Sequence, residues 1–179
     1  VRRSRKLKVA YAYAGSIGRS NWTYSHDIGR AHIERVLGEQ VETSYIENVP
    51  EGMAAYESLK KLAEDGNDIV FATRSSFINA TLRASLEFEK TRFLNCSETH
   101  SYKHVHTYFG RIYEPRFLLG MIAGSMTRTN VIGYVARQPS AGVICGINSF
   151  ALGAKMVNPD ARIQVAWTEY PKDDSSTID

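Results

Sequence analysis

Short apolar runs alternate along this chain with longer stretches whose apolar residues recur every three or four positions, the periods of strands and of amphipathic helices. Val9 to Ala14 reads as a first strand. A helix is predicted over Tyr24 to Leu37, with Ile28, His32 and Val36 in one stripe and Gly38 as its cap. Val41 to Glu47 is a second strand. Pro50, Glu51 and Gly52 are predicted to open a second helix that runs through Ala63 and stops at Gly66. Asp68 to Thr73 is a third strand, followed by a helix over Asn79 to Glu89. Arg92 to Cys96 and Val105 to Phe109 are the fourth and fifth strands. A helix over Glu114 to Met126 carries Pro115 near its start, where proline is tolerated, and Phe117, Met121 and Gly124 for close packing. Near Asn130 the pattern restarts: strand Val131 to Ala136, helix Ala141 to Val157, the turn Asn158-Pro159-Asp160 and strand Ile163 to Trp167. A polar tail, Lys172 to Asp179, follows.

Strands spaced by helices imply an α/β protein with a parallel sheet and helices on both faces. Right-handed crossovers then bring the strand-to-helix turns to one edge, where such sheets bind ligands. Those turns are Gly15–Trp22, Arg74–Asn79, Cys96–His104 and Arg137–Gly142. The pattern divides into a first lobe at 1–129 with five strands and the beginning of a second at 130–179 with two. Two strands and one helix are too few for a two-sided core, so the second lobe is expected to be incomplete and the chain a portion of a longer two-lobed protein.

The chain has 179 residues, 43% of them hydrophobic and 23% charged, a composition suited to a folded domain that needs no cross-link. The formal net charge of +3 rests largely on Arg2, Arg3, Arg5, Lys6 and Lys8, which are expected to form a solvated leader rather than a nucleic-acid arm. Cys96 and Cys145 are expected as separate thiols. No apolar run reaches the length of a membrane span, and no signal segment is visible.

The strongest chemical feature is Gly15-Ser16-Ile17-Gly18 followed by Trp22. It puts a large flat ring at the sheet edge, where it can stack on a flat ligand; the competing reading is a core tryptophan. Gly15 to Gly18 lacks the Lys-Ser/Thr ending of a phosphate loop and the three-glycine spacing of a dinucleotide fold. Glu98, His100, His104 and His106 lack a metal-ligand spacing, and no base accompanies Cys145, which reads as a packed thiol. A binding protein without cofactor or metal is expected, rather than an enzyme.

Several runs are similar to the basic membrane protein family, whose members include purine nucleoside receptors and Med-like transcriptional activators. They are Gly15 to Gly18 with Trp22 to Asp27, Tyr45 to Gly52, Leu62 to Phe71, Thr107 to Arg111, Ile132 to Ala136 and Gly146 to Ala154. The resemblance implies a type I periplasmic-binding-protein fold of two Rossmann-like lobes that close on a purine base or nucleoside. It implies delivery to an ABC importer permease, and a lipoprotein or periplasmic place in the cell envelope. The alternative is a cytoplasmic ligand-sensing module of a regulator. No nucleic acid is expected to bind through this domain, and a homo-oligomer is compatible with it.

The resemblance makes Trp22 the stacking aromatic. Ser75 and Ser76 follow the third strand, where their hydroxyls would meet a heterocycle edge and Phe77 would flank it; the competing reading is a helix cap with a core phenylalanine. Ser16, Asn79 and Gln138 complete the expected polar contacts. Asn79 stands where many relatives carry aspartate, Arg19-Ser20-Asn21 where they carry acidic residues and glycine, and Gly142 and Cys145 where they carry an acidic residue and arginine. These departures alter the polar contacts expected with a nucleoside.

Overall fold

A computed structural model describes residues 5–98 and 101–169. The chain divides into two compact units, with the boundary in the sequence between Phe109 and Gly110. The helix after Gly110 packs with the second unit, so the change of unit comes earlier than the restart of the strand pattern near Asn130.

The first unit is a parallel sheet of five strands in the order β2-β1-β3-β4-β5. The strands are β1 (Leu7–Ala12), β2 (Val41–Ile46), β3 (Ile69–Ala72), β4 (Arg92–Cys96) and β5 (Val105–Tyr108). Three helices connect them: α1 (Asn21–Leu37), α2 (Met53–Glu64) and α3 (Ile78–Glu87). Alternation along each strand sends neighbouring side chains to opposite faces. Ala10, Ala12, Val70, Ala72, Phe93 and Val105 point to one face and form the main core with Leu59 and Leu62 of α2 and Ala80 and Ala84 of α3. Val9, Tyr11, Tyr13 and Val41 point to the other, with Ile33 of α1, Ile69 and Phe71 packed around them. Helices thus cover both faces, as the alternation predicts.

Helix α1 has the expected period but a different phase. Ile28 and Val36 are more than half exposed, and Thr23 is the helix's one fully buried residue. Its sheet-facing side carries Asp27 and Arg30. The reason lies beneath it: this face of the sheet carries phenols, which need polar partners when covered. Tyr13 donates to Asp27 Oδ1 at 3.1 Å, and Arg30 Nε donates to the same oxygen at 2.6 Å. Arg30 also donates to Thr43 Oγ1 at 2.9 Å.

Helix α2 begins at Met53 after Gly52, whose φ of 74° suits glycine. Pro50 and Glu51 therefore lie before the helix rather than in its first turn. Gly38 ends α1 at φ 49°, its N–H bonding to the carbonyl of Glu34. In the basic leader, Arg5 pairs with Asp68, and Lys6 lies 2.9 Å from Glu39. Arg2 and Arg3 lie outside the described residues, as do His100 and the tail from 170 onward.

The second unit contains α4 (Tyr113–Met126), β6 (Val131–Ala136), α5 (Ala141–Val157) and β7 (Arg162–Trp167), with β6 and β7 paired in parallel. Its two helices cross on glycine. A Cβ at Gly120 would fall 2.0 Å from the Phe150 carbonyl oxygen, and one at Gly153 would fall 2.0 Å from the Phe117 carbonyl oxygen. Any side chain at either position would force the helix backbones apart. Val135 and Leu152 are mainly exposed. Among the described residues no helix is long and apolar enough to cross a membrane. Both cysteines are free: Cys96 is buried at the end of β4 and Cys145 is exposed on α5.

Candidate functional site

The strand ends of the first unit carry the turns after β1 and β3 that the pattern nominated, while Arg137–Gly142 lies in the second unit. After β1 the chain turns tightly: the carbonyl of Ser16 accepts from the backbone N–H of Arg19 at 3.2 Å and of Ser20 at 3.0 Å. Glycine suits this turn: a Cβ at Gly15 would sit 3.2 Å from Ser20 Cβ, a tight contact. Ser20 caps α1 by accepting from the Thr23 N–H at 3.2 Å. Glu47, just past β2, accepts from the Ile17 N–H at 2.6 Å and ties this loop to the next strand.

Trp22 therefore emerges from the first turn of α1 at the carboxyl edge of the sheet. Its side chain is anchored at one end and partly open to solvent. The indole N–H donates to the carbonyl of Thr73 at 2.6 Å, while 45% of the residue is exposed. A buried core tryptophan is thereby excluded. The His26 ring lies 5.1 Å away at 52°, and the Phe109 ring 6.2 Å away at 30°. Tyr108 meets His26 edge-on at 6.3 Å and Phe71 edge-on at 5.6 Å, and Phe71 stacks on Tyr11 at 4.7 Å and 4°. A continuous aromatic seam thus runs from inside the sheet face to its rim.

The state of His26 follows from its partner. Its Nδ1 lies 2.9 Å from the carbonyl oxygen of Trp22, which only accepts, so Nδ1 carries the proton. In the neutral ring Nε2 is then an acceptor. Deeper in the seam, burial pushes the Tyr108 phenol up, an effect increased by the neighbouring Cys96, and burial also raises the Cys96 thiol. Such a thiol is a poor nucleophile.

The loop after β3 divides the serine and phenylalanine candidates. Ser75 to Phe77 forms a short 3-10 turn before α3. Ser75, Ser76 and Asn79 are exposed. Ser76 Oγ donates to Glu51 Oε1 at 3.1 Å, and Arg74 lies 3.1 Å from the same oxygen. Phe77 is fully buried in the main core. The 3-10 turn sends its ring inward, so it does not flank a ligand at the rim. Ser16 is partly buried in the β1 turn, and Gln138 is exposed in the second unit on the loop after β6.

His26, Phe109 and Thr73 join this site without having been singled out from the sequence. His26 stands one helical turn after Trp22, and that spacing was the available signal. The departure at Glu51 is instructive as well: placed at a predicted helix start, it serves the neighbouring loop instead. Among the described residues no group of three metal-ligating side chains occurs. A hollow of about 590 Å³ lined by Asn67, Asp68, Glu87 and Thr91 lies at the opposite end of the strands and contains none of the candidates.

Residues 6–177 match the family model described as ABC transporter substrate-binding protein PnrA-like. The chain is 38% identical over 162 residues to a purine-binding protein of Brucella abortus, covering 90% of this chain and 46% of that protein. It is 32% identical over 161 residues to a putative ABC transporter glucose-binding protein of Haloferax volcanii, covering 90% of this chain and 41% of that one. The chain thus spans less than half the length of these two curated relatives. Among solved structures, an ABC transporter solute-binding protein from Aeropyrum pernix matches with a TM-score of 0.72 at 16% identity, over 91% of this chain and 47% of that one. A transcriptional activator of the comK gene from Bacillus halodurans matches with a TM-score of 0.70 at 20% identity, over 90% and 53%. At such identities these two structures speak for the fold alone, a periplasmic-binding-protein type of α/β architecture. The family match extends over nearly the whole chain, and the chain belongs to the PnrA-like ABC transporter substrate-binding proteins, a family of solute binders rather than enzymes.

Proposed function

We propose that this chain carries the base-recognising part of a substrate-binding protein for purine bases or nucleosides. The observation that carries the reading is Trp22, with its indole N–H tied to Thr73 and 45% of the residue exposed at the sheet edge. A ring held in this way offers its face to a planar heterocycle. Stacking of a base on an aromatic is worth about 1–3 kcal/mol. The purine-binding relative at 38% identity supports this ligand class over others.

In this reading Ser16, Ser75, Ser76 and Asn79 supply polar contacts from the first unit, and Gln138 is a proposed contact from the second. His26 adds an acceptor at Nε2 for a ring N–H. Asn79 has both a donor and an acceptor, whereas an aspartate in its place would only accept. That difference favours a free base over a nucleoside held through its ribose hydroxyls. No chemistry is done on the guest. It passes to a membrane permease, and the whole protein works in the cell envelope, as a lipoprotein or a periplasmic protein.

The test is isothermal calorimetry of this chain, and of the longer protein containing it, with adenine, hypoxanthine, adenosine, guanosine and glucose. Binding of at least one purine, with glucose silent, is the expected result. Glucose binding without purine binding overturns the assignment, as does silence of the longer protein towards every purine.

A further inference from the structure

We infer that Asn95 is the positioning residue that aims the Trp22 platform, by fixing which way the carbonyl of Thr73 points. The inference rests on the reading of Trp22 as the stacking surface for its functional meaning, but not for its geometry.

Successive carbonyls along an extended strand point to opposite sides. Thr73 continues β3 by one residue. Its N–H bonds to the Ala12 carbonyl at 3.2 Å, and its hydroxyl donates to the same oxygen at 2.8 Å. Thr73 thus faces β1, and its own carbonyl reaches past the end of β1 to the Trp22 indole N–H. Ala72 and Arg74 must then face β4. Regular pairing with β4 runs out here: the last paired residues are Ala72 and Asn95, and the Ser97 N–H turns back to the Asn95 carbonyl at 3.0 Å.

The Asn95 side chain takes over. Its amide nitrogen Nδ2 lies 3.0 Å from the Arg74 carbonyl and 3.4 Å from that of Ala72. One fully buried NH₂ group thereby grips the carbonyls on both sides of Thr73. Arg74 accordingly stays extended, at φ −139° and ψ 140°, before the chain enters the 3-10 turn. Only the NH₂ end can donate, so the amide orientation is settled. Its Oδ1 is left buried without a hydrogen-bond partner. Leaving a buried acceptor unmatched is costly. The arrangement persists because it holds three consecutive carbonyls in alternating directions, two toward β4 and one toward Trp22. An apolar side chain at 95 would fill the space without holding either flanking carbonyl.

The experiment uses ¹⁵N-labelled protein, in which the two indole N–H resonances, of Trp22 and Trp167, are separately observable. In the unmodified chain the Trp22 indole proton and both Asn95 side-chain amide protons are expected to exchange slowly with solvent. Free exchange of the Asn95 amide protons overturns the inference without any variant. Asn95→Leu, of similar size, is expected to move the Trp22 indole resonance toward that of a free indole and to speed its exchange by about tenfold or more. Asn95→Ser, which keeps one donor, should fall between. Trp167 should not move in either. A variant that folds while its Trp22 resonance stays in place overturns the inference. For whichever of adenine or hypoxanthine binds the unmodified chain, affinity in Asn95→Leu should fall about tenfold. If no purine binds this chain or the longer protein containing it, the ligand reading fails, while the resonances still decide the role of Asn95.

Discussion

The two faces of the first sheet are built from the same strands but on different chemistry. One face is aliphatic and aromatic carbon closed by α2 and α3: Ala10, Ala12, Val70, Phe93 and Val105 lie there fully buried. The other bears Tyr11, Tyr13, Phe71 and Tyr108, covered by a helix that contributes Asp27 and Arg30. The first face is a stabilising core. The second is a seam of rings and polar groups that leads to Trp22 and His26 at the rim. On the proposed reading of Trp22, the contrast teaches that stability and ligand presentation are separable, residue by residue, along single strands.

The largest effect should come from the aliphatic face. Phe93→Ala removes a fully buried ring and should cost about 3–5 kcal/mol in urea denaturation, with the ligand preference of the surviving folded protein unchanged. A loss below about 1 kcal/mol would break the contrast between the faces. Trp22→Ala should do the reverse. It should weaken purine binding by about ten- to a hundredfold in calorimetry, the equivalent of about 1–3 kcal/mol, with a much smaller change in thermal midpoint.

The alkaline limb of stability should belong to the tyrosine face. Burial raises Tyr11 to about 12 and pushes Tyr13 and Tyr108 up as well, with Asp27 adding to the effect on Tyr13. The folded state therefore holds these phenolic protons more tightly than the unfolded chain. Their contribution is complete below pH about 10, the ordinary tyrosine value, and is lost as pH rises through the folded values. Denaturation midpoints measured from pH 8 to 12 should fall above 10, and less steeply in Tyr11→Phe.

Tyr13→Phe should cost about 1 kcal/mol through the lost bond to Asp27, measured by urea denaturation at pH 7. Smallest of all, Ile28→Ser should stay within about 0.5 kcal/mol of the original chain in the same measurement, because Ile28 is largely exposed. A large loss there would mean that the outer side of α1 is covered in solution.

Much of this architecture was legible from period alone. Strands β4 and β6 and helix α5 have the bounds that their apolar runs suggest, because sharp polar punctuation flanks each of them. The phase of α1 was not legible. Ile28, His32 and Val36 make the better apolar stripe, yet the helix turns Asp27 and Arg30 to the sheet, since the tyrosines beneath it require them. Trp22 was legible as a rim residue from the glycine turn before it. For Phe77 the sequence left two readings open, a ligand flank or a core ring, and the 3-10 turn, a feature without a local pattern, comes with the ring buried in the core. Asn95 gave no signal, being one polar residue in an ordinary strand. Its importance comes from β4 leaving the ladder at that point, a tertiary event with no local pattern.

The hydrogen bond from the Trp22 indole to a main-chain oxygen has a further consequence for selectivity. With its one polar atom occupied, the indole has no hydrogen-bonding group left to offer a visitor, only the face of its ring. On the proposed reading, hydrogen-bond discrimination between similar guests then falls to the side chains around the rim, which can be exchanged while the ring beneath them stays the same.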